Sequence, residues 1–284
     1  MIKASEILGY IALAYSGDWD RMYECIKKRW KFDVPTALEE LSKLSDDYVT
    51  LVDSKFPETL KNLRRPPFTL FYRGNYELLR HPEKTVTIVG SRECGEYGRQ
   101  MTRKIVSELC EKGYIIVSGL AKGIDTAALE EAVKYGRGIA VLGTGLDVAY
   151  PAENSILQQQ IAQNGLLLTE YPPGIGPKAA HFPMRNRILA GLSKMTVLTE
   201  AKRRSGSLIT ANYAIENGSD VGCLPYHADE DSLCNELIKD GAVLVESAAD
   251  VIETIRRGQG IKGENSNEEE EGESGESGQS EGEK

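Results

Sequence analysis

Residues 85–143 read TVTIVGSRECGEYGRQMTRKIVSELCEKGYIIVSGLAKGIDTAALEEAVKYGRGIAVLG. Three short apolar runs stand out: TVTIVG (85–90), YIIVSG (114–119) and GIAVLG (138–143). Each is rich in branched residues and closes on glycine, the pattern of a strand that ends in a tight turn. The two longer segments between them carry apolar residues at helical spacing and end near Gly113 and Gly136. Strands this uniformly apolar need cover on both faces, and alternation with helices supplies it as a parallel sheet. The same rhythm continues outward. A helix is expected over about 152–164, then LLLTEY (166–171), then a long loop and the segment HFPMRNRILAGLS (181–193). MTVLTEA (195–201) precedes the helix SLITANYAIEN, closed by Gly218, and DVGCLP, LCNELIKDG, AVLVES and AADVIETIRR follow. The expected fold is α/β, a Rossmann-like, doubly wound and mostly parallel sheet.

The flanks differ from this body. SEILGYIALAY, WDRMYECIKKRW and PTALEELSKL read as three short helices, a small N-terminal helical domain over 1–48 docked on something larger. Residues 50–82 read as an extended lead-in with one edge strand at FTLFY. Residues 259–284 are rich in Glu, Ser and Gly without apolar periodicity, and are expected to be a disordered acidic tail. That leaves 49–258 as the α/β domain. The net charge of −9 is mostly tail, since residues 261–284 hold nine Glu and two Lys. The rest is nearly neutral, so any basic site must be local. No run approaches the roughly eighteen apolar residues of a membrane span, so no membrane partner is expected. Five scattered cysteines without CxxC (Cys25, Cys94, Cys110, Cys223, Cys234) suit reduced thiols in a cytoplasm. His81, His181 and His227 share no ligand spacing, so neither a metal nor a cofactor is expected.

In doubly wound sheets ligands bind at the carboxyl ends of the strands. Five segments should share that rim: GSRECGEYG (90–98), SGLAKGID (118–125), GTGLDVAYP (143–151), EYPPGIGPKAAHFPMRNR (170–187) and EAKRRSGSLIT (200–210). Four carry cations: Arg92, Lys122, Arg185 with Arg187, and Lys202 with Arg203 and Arg204. With Pro183 read as the start of a helix, Arg185 and Arg187 fall in its first turn, where the helix dipole disfavours cations. Singly, each segment has a plain structural reading. Asp125 reads as a helix N-cap, Asp147 as a loop brace, Ser205 or Ser207 as a cap, and KRR as a solvated loop. Together, basic loops at helix N-termini on one rim make an anion site.

GxGxxG and GxxxxGK[ST] are both absent, so neither a dinucleotide fingerprint nor a P-loop is present. Glu170, Glu200 and Asp147 could serve as acids or bases, yet none pairs with a nucleophile. Repeated cations with few catalysts suit a binder of a repeating polyanion rather than an enzyme. Phe182 and Tyr171 could stack on bases or belong to the core. Of the two arginines, Arg185 is the expected contact, and Arg187 a second contact or a brace for the preceding loop.

GSR, SGLAKGID, AVLGTGLDVAYPAEN, LLLTEYPPG, HFPMRNRILAGLS, EAKRRSGSLITANYAIENG and LIKDGA, in this order from about Phe56 to Ile255, resemble the DprA/Smf family of bacterial DNA-processing proteins. The resemblance implies an extended Rossmann fold, binding of single-stranded DNA, a homodimer, and loading of the RecA recombinase on incoming DNA during natural transformation. It implies DNA contacts at Arg92, Lys122, Arg185, Arg187, Lys202 and Arg203. Backbone and hydroxyl donors would come from Ser91, Gly119, Gly123, Ser205, Gly206 and Ser207. The implied dimer and RecA surface surrounds LCNELIKDGA, with Leu237 and Ile238 as anchors. Three features depart from the family pattern. Leu129 replaces a usual His, LPYHADEDSLCNELI replaces a VPG with a Ser/Gly-rich stretch, and an acidic tail stands where many members carry a winged helix. The competing reading is a phosphoribohydrolase-like enzyme acting on nucleoside phosphates. Such enzymes resemble the lysine-decarboxylase-like family and carry PGGxGTxxE where this chain has EAKRRSGSLITA. A third reading makes the acidic tail a nucleic-acid mimic that shields the rim; the plain alternative is a solubility tail.

Overall fold

The computed structural model describes residues 2–29, 31–203 and 205–258. Three helices come first: α1 (Ala4–Ala14), α2 (Trp19–Lys27) and α3 (Val34–Ser42). Asp18 caps α2 by accepting from the Arg21 N–H at 3.1 Å, and Asp33 caps α3 through the Thr36 N–H at 3.0 Å. Then follow β1 (Asp47–Thr50), α4 (Glu58–Lys61), β2 (Thr69–Gly74), β3 (Thr85–Gly90), α5 (Glu96–Glu111), β4 (Ile115–Ser118) and α6 (Ile124–Ala132). The chain continues through β5 (Gly138–Val141), α7 (Ser155–Asn164), β6 (Leu166–Thr169), α8 (His181–Gly191), β7 (Met195–Glu200) and α9 (Ser207–Glu216). It closes with β8 (Asp220–Cys223), α10 (Leu233–Lys239), β9 (Val243–Leu244) and a helical stretch over 248–258.

The nine strands form one sheet in the order β1-β2-β6-β5-β4-β3-β7-β8-β9. All neighbours from β6 to β9 are parallel, while β1 and β2 join antiparallel at one end. The expected doubly wound α/β fold is therefore present. The chain winds from β3 to β6 in one direction, then returns to lay β7 on the other flank of β3. The switch point lies between β3 and β7, and their register slips there between Val89 and Gly90.

Burial follows the strand period. On β6, Leu166 and Leu168 pack with α8 and α9, while Leu167 faces the opposite way into the cluster that includes α1 and α7. Helices α5, α6 and 248–258 cover the central strands on that second face through Ile105, Leu109, Ile124, Val251 and Ile255. Leu129 is fully buried there beside Phe71 and Ile161. The N-terminal helices bury no separate core, because Leu8, Ile11 and Met22 join Phe68, Phe71 and Leu120 in the same cluster.

Two expectations need correction. FTLFY is not an edge strand: β2 lies inside the sheet, and DYVT covers it as β1. Its four residues, with Asp47 exposed and Thr50 buried, give too short a pattern to read. The helix of HFPMRNRILAGLS begins at His181, not at Pro183. Arg185 and Arg187 therefore sit in its second turn, beyond the reach of most of the dipole penalty.

Candidate functional site

A cleft of about 810 Å³ opens at the switch point, and all five rim segments contribute to its wall. Ser91 and Arg92 come from the turn after β3, and Ala121 and Asp125 from the turn into α6. Tyr150 follows β5, Lys178 and Phe182 precede or open α8, and Lys202 with Ser205, Gly206 and Ser207 connects β7 to α9. Arg92, Lys178 and Lys202 are exposed, and none forms an ion pair among the described residues. The Arg92 guanidinium lies over the Phe182 ring at 5.8 Å, and Tyr150 meets the same ring at 5.4 Å. The wall thus offers three exposed cations and an aromatic face, with Glu93 as the opposing charge at the surface.

Arg185 also lines the cleft, but from beneath. It is only 5 % exposed, and its Nη1 donates to the Gly119 carbonyl at 2.6 Å and to the Val141 carbonyl. It ties the turns after β4 and β5 to α8. Burial brings its pKa down to about 10, against the pull of Asp125, so it stays charged at neutral pH. Asp125 is not a cap. It lies inside α6 and accepts from the Gly119 and Ala121 N–H groups at 3.1 and 3.4 Å. Burial pushes its pKa up, while Arg185 and these N–H groups hold it down. Gly119 is required by close approach, since a Cβ there would lie 2.6 Å from the Arg185 Cζ. Gly123 has φ +76, and a Cβ would collide with the Ser91 and Arg92 main chain. Gly119 and Gly123 therefore lock loops together and lie outside the cleft wall, and the Gly119 donor is already engaged.

Arg187 is 3 % exposed, lies outside the cleft wall, and pairs with buried Glu170 at 2.6 Å. Of its two expected roles it fills the brace, since Glu170 starts the long loop before α8. Lys122 pairs with Glu153 at 2.7 Å on the outside of the rim. Arg203 pairs with Asp231 at 3.2 Å and with Glu236 of α10, away from the cleft. Arg204 lies outside the described residues. Tyr171 is buried and stacked on His181 at 3.9 Å, so it belongs to the core, whereas half-buried Phe182 faces the cleft. Leu237 and Ile238 are half-buried on α10 against the main core.

At three helix starts on the rim, one main-chain donor is used within the fold. Glu200 accepts from the Gly95 N–H at 2.9 Å and so occupies the start of α5. Ile124 N–H at the start of α6 donates to the Ser91 carbonyl, and Ser207 N–H at the start of α9 donates to Ser205 Oγ. Lys178, Tyr150 and Asn186 are wall residues that the sequence reading passed over. Lys178 was visible as a cation in a rim segment, but it sits in a Pro/Gly-rich loop without a motif. No group of three or more His, Cys, Asp or Glu is placed to hold a metal among the described residues. No helix there is long and apolar enough to cross a membrane.

Comparison with known proteins converges on one family. Residues 47–256 match the family model of DNA recombination-mediator protein A. The chain is 47 % identical over 207 residues to the DNA processing protein DprA of Streptococcus pneumoniae, covering 72 % of each. It is 37 % identical to the Bacillus subtilis DprA over 225 residues, covering 78 % of this chain and 75 % of that one. The X-ray structure of the S. pneumoniae protein superposes with a TM-score of 0.73 at 38 % identity, covering 88 % of this chain and 92 % of that one. A Helicobacter pylori DprA structure, described for its single-stranded DNA binding mode, gives 0.68 at 33 % identity, covering 74 % and 96 %. The matched region starts with β1 and ends within the last helix, spanning the whole sheet and its cleft, and the chain belongs to the DNA recombination-mediator protein A (DprA/Smf) family.

Proposed function

We propose that the switch-point cleft binds single-stranded DNA and that the protein is a recombination mediator, not an enzyme. Arg92 over the Phe182 ring, with Lys178 and Lys202 in the wall of the same cleft, is the observation that carries this reading. A repeating polyanion meets several cations, and an aromatic face takes a base of any sequence. The H. pylori relative of the same fold is described as binding single-stranded DNA. The three carboxylates that an enzyme could use are all engaged: Glu200 with Gly95, Glu170 with Arg187, and Asp147 with the Gly174 N–H at 2.9 Å. That disfavours the phosphoribohydrolase-like reading, and release of free base from nucleoside monophosphates would restore it.

On this reading the cytoplasmic protein shields incoming strands during natural transformation and passes them to RecA. The body over 49–258 carries the DNA site, beside the helices of 1–48 and the acidic segment 259–284. Homodimerisation and the RecA contact use the sheet end at β9, where Leu244 is 45 % exposed, next to Leu237 and Ile238 on α10. The deciding experiment is fluorescence anisotropy with single- and double-stranded oligonucleotides across a salt series. Single strands should bind more tightly. Replacing Arg92, Lys178 and Lys202 by Ala should reduce the salt slope by about 2, from about 0.7 per phosphate neutralised. An unchanged slope in the triple variant overturns the assignment of the cleft.

A further inference from the structure

A second basic surface lies outside the cleft, on the N-terminal helices. Residues 19–31, WDRMYECIKKRWK, carry five cations and two carboxylates in a chain whose net charge is −9. Both carboxylates are engaged: Asp20 pairs with Arg65 at 3.1 Å and Glu24 with Lys28 at 3.5 Å. Lys27, Arg29 and Lys31 are exposed and form no ion pair among the described residues. The inner face of α2 is fixed by Met22 and Cys25, both buried. Half-buried Trp19, exposed Tyr23 and exposed Lys27 follow at four-residue spacing, a stripe that runs outward from the core edge with about 6 Å between successive residues. Tyr23 is 45 % exposed and stacks on Trp19 at 5.2 Å with an interplanar angle of 7°. Trp19 stacks in turn on Phe68 and lies under the Arg65 guanidinium at 5.0 Å.

This stripe adjoins the cleft. Arg65 touches Met184 of α8 at 4.0 Å, and the residues on either side of Met184, Pro183 and Arg185, line the cleft wall. Cations, an exposed ring already stacked on its neighbours, and then more cations repeat the composition of the cleft itself. We propose that α2 and the basic run after it form a second single-strand contact, taking the strand that leaves the cleft past Pro183 and Met184. The proposal rests on the cleft being the primary site. An anionic membrane would also attract these cations. However, the Met22 and Cys25 face is buried in the core, leaving only Tyr23 and Ile26 as exposed apolar side chains on a nine-residue helix. That is too little apolar surface for an interfacial helix.

The test compares the full chain with Lys27→Gln/Lys28→Gln/Arg29→Gln and, separately, Tyr23→Ala. The probes are oligothymidylates of about six and about twenty-five nucleotides, at the short end of and beyond one site size. The wild type should bind both, the longer more tightly. The triple variant should keep the short-probe affinity, lose the gain on the long probe, and show a long-probe salt slope smaller by about 2. Tyr23→Ala should weaken the long probe alone by about tenfold. Unchanged long-probe affinity and slope in the triple variant overturn the second contact and leave the cleft reading standing. Failure of the wild type to bind the short probe overturns the cleft reading, and this proposal with it. Binding to phosphatidylglycerol vesicles that the triple variant loses, with long-probe binding intact, overturns it in favour of a membrane.

Discussion

The rim of the sheet has two halves built from similar sequence, and they use charge in opposite ways. Over β3 and β7, Arg92 and Lys202 face an open cleft. Over β4, β5 and β6 the loops are knitted to one another. Arg185 bonds the Gly119 and Val141 carbonyls, and the Asn154 amide donates to the Leu120 carbonyl at 3.0 Å and to Thr126 at 2.9 Å. Asp147 holds the Gly174 N–H, and Arg187 holds Glu170. Glycine, serine and cations occur in both halves. Topology separates them. At the switch point the following helices leave on opposite faces and open a gap. From β4 to β6 successive crossovers keep one direction, so neighbouring loops fill the space between them. Leu120 sits in this packed half at φ 55, a conformation uncommon for a side-chain-bearing residue and held here by the bonds around it.

The largest effect should come from breaking the packed half. Arg187→Ala leaves Glu170 buried without its partner, and burial already pushes that carboxyl's pKa up. Removing one member of a buried pair costs about 3–5 kcal/mol. For a domain of this size that lowers the melting temperature by about 10 °C. Arg92→Ala, at the open half, should leave stability within about 0.5 kcal/mol. Calorimetry of the two variants settles the contrast. Equal melting temperatures would show that burial does not distinguish the two kinds of arginine.

The contrast also explains what could be read in advance. The parallel sheet was legible because both faces of its strands are apolar, so TVTIVG, YIIVSG and LLLTEY have no other sensible place. The rim followed from the sheet, and all five of its segments reach the cleft. The division between contact and strut was not legible. The acceptors of Arg185 are main-chain carbonyls 66 and 44 residues away, which leave no trace in composition or spacing. Glu200 closing the start of α5 is equally long-range, at a separation of 105 residues. β1 escaped because its four residues pair with β2 through backbone bonds rather than through an apolar pattern.

Within the cleft, charge and stacking can be separated. Phe182→Leu keeps an apolar side chain against Gly143 but removes the ring beneath Arg92. Loss of one stacked base weakens single-strand binding by about 1–3 kcal/mol, with the salt slope unchanged because no phosphate contact is lost. Titration of a fluorescent oligonucleotide at two salt concentrations reads both quantities. Wild-type affinity in this variant would make the cleft purely electrostatic and shift base contact elsewhere, Tyr23 being the next exposed ring.

The smallest effect concerns His181, the first residue of α8, held between Gly143 and Tyr171. A carbonyl only accepts, so the 2.9 Å contact with Gly143 fixes the proton on Nδ1. Burial against Tyr171 pulls the imidazole pKa below its ordinary value of 6.5, although the Gly143 bond works the other way. A folded pKa below the unfolded one means that the neutral ring stabilises the fold. That contribution is complete above the unfolded pKa and fades as pH falls through the folded value. Buried Asp125 and Glu170 oppose this, because their raised pKa values favour the fold at lower pH. The histidine term is isolated by comparison with His181→Asn, whose amide can still donate to Gly143. Between about pH 7 and pH 5.5 the melting temperature of the wild type should fall more than that of the variant. Parallel curves would mean that the ring stays neutral throughout.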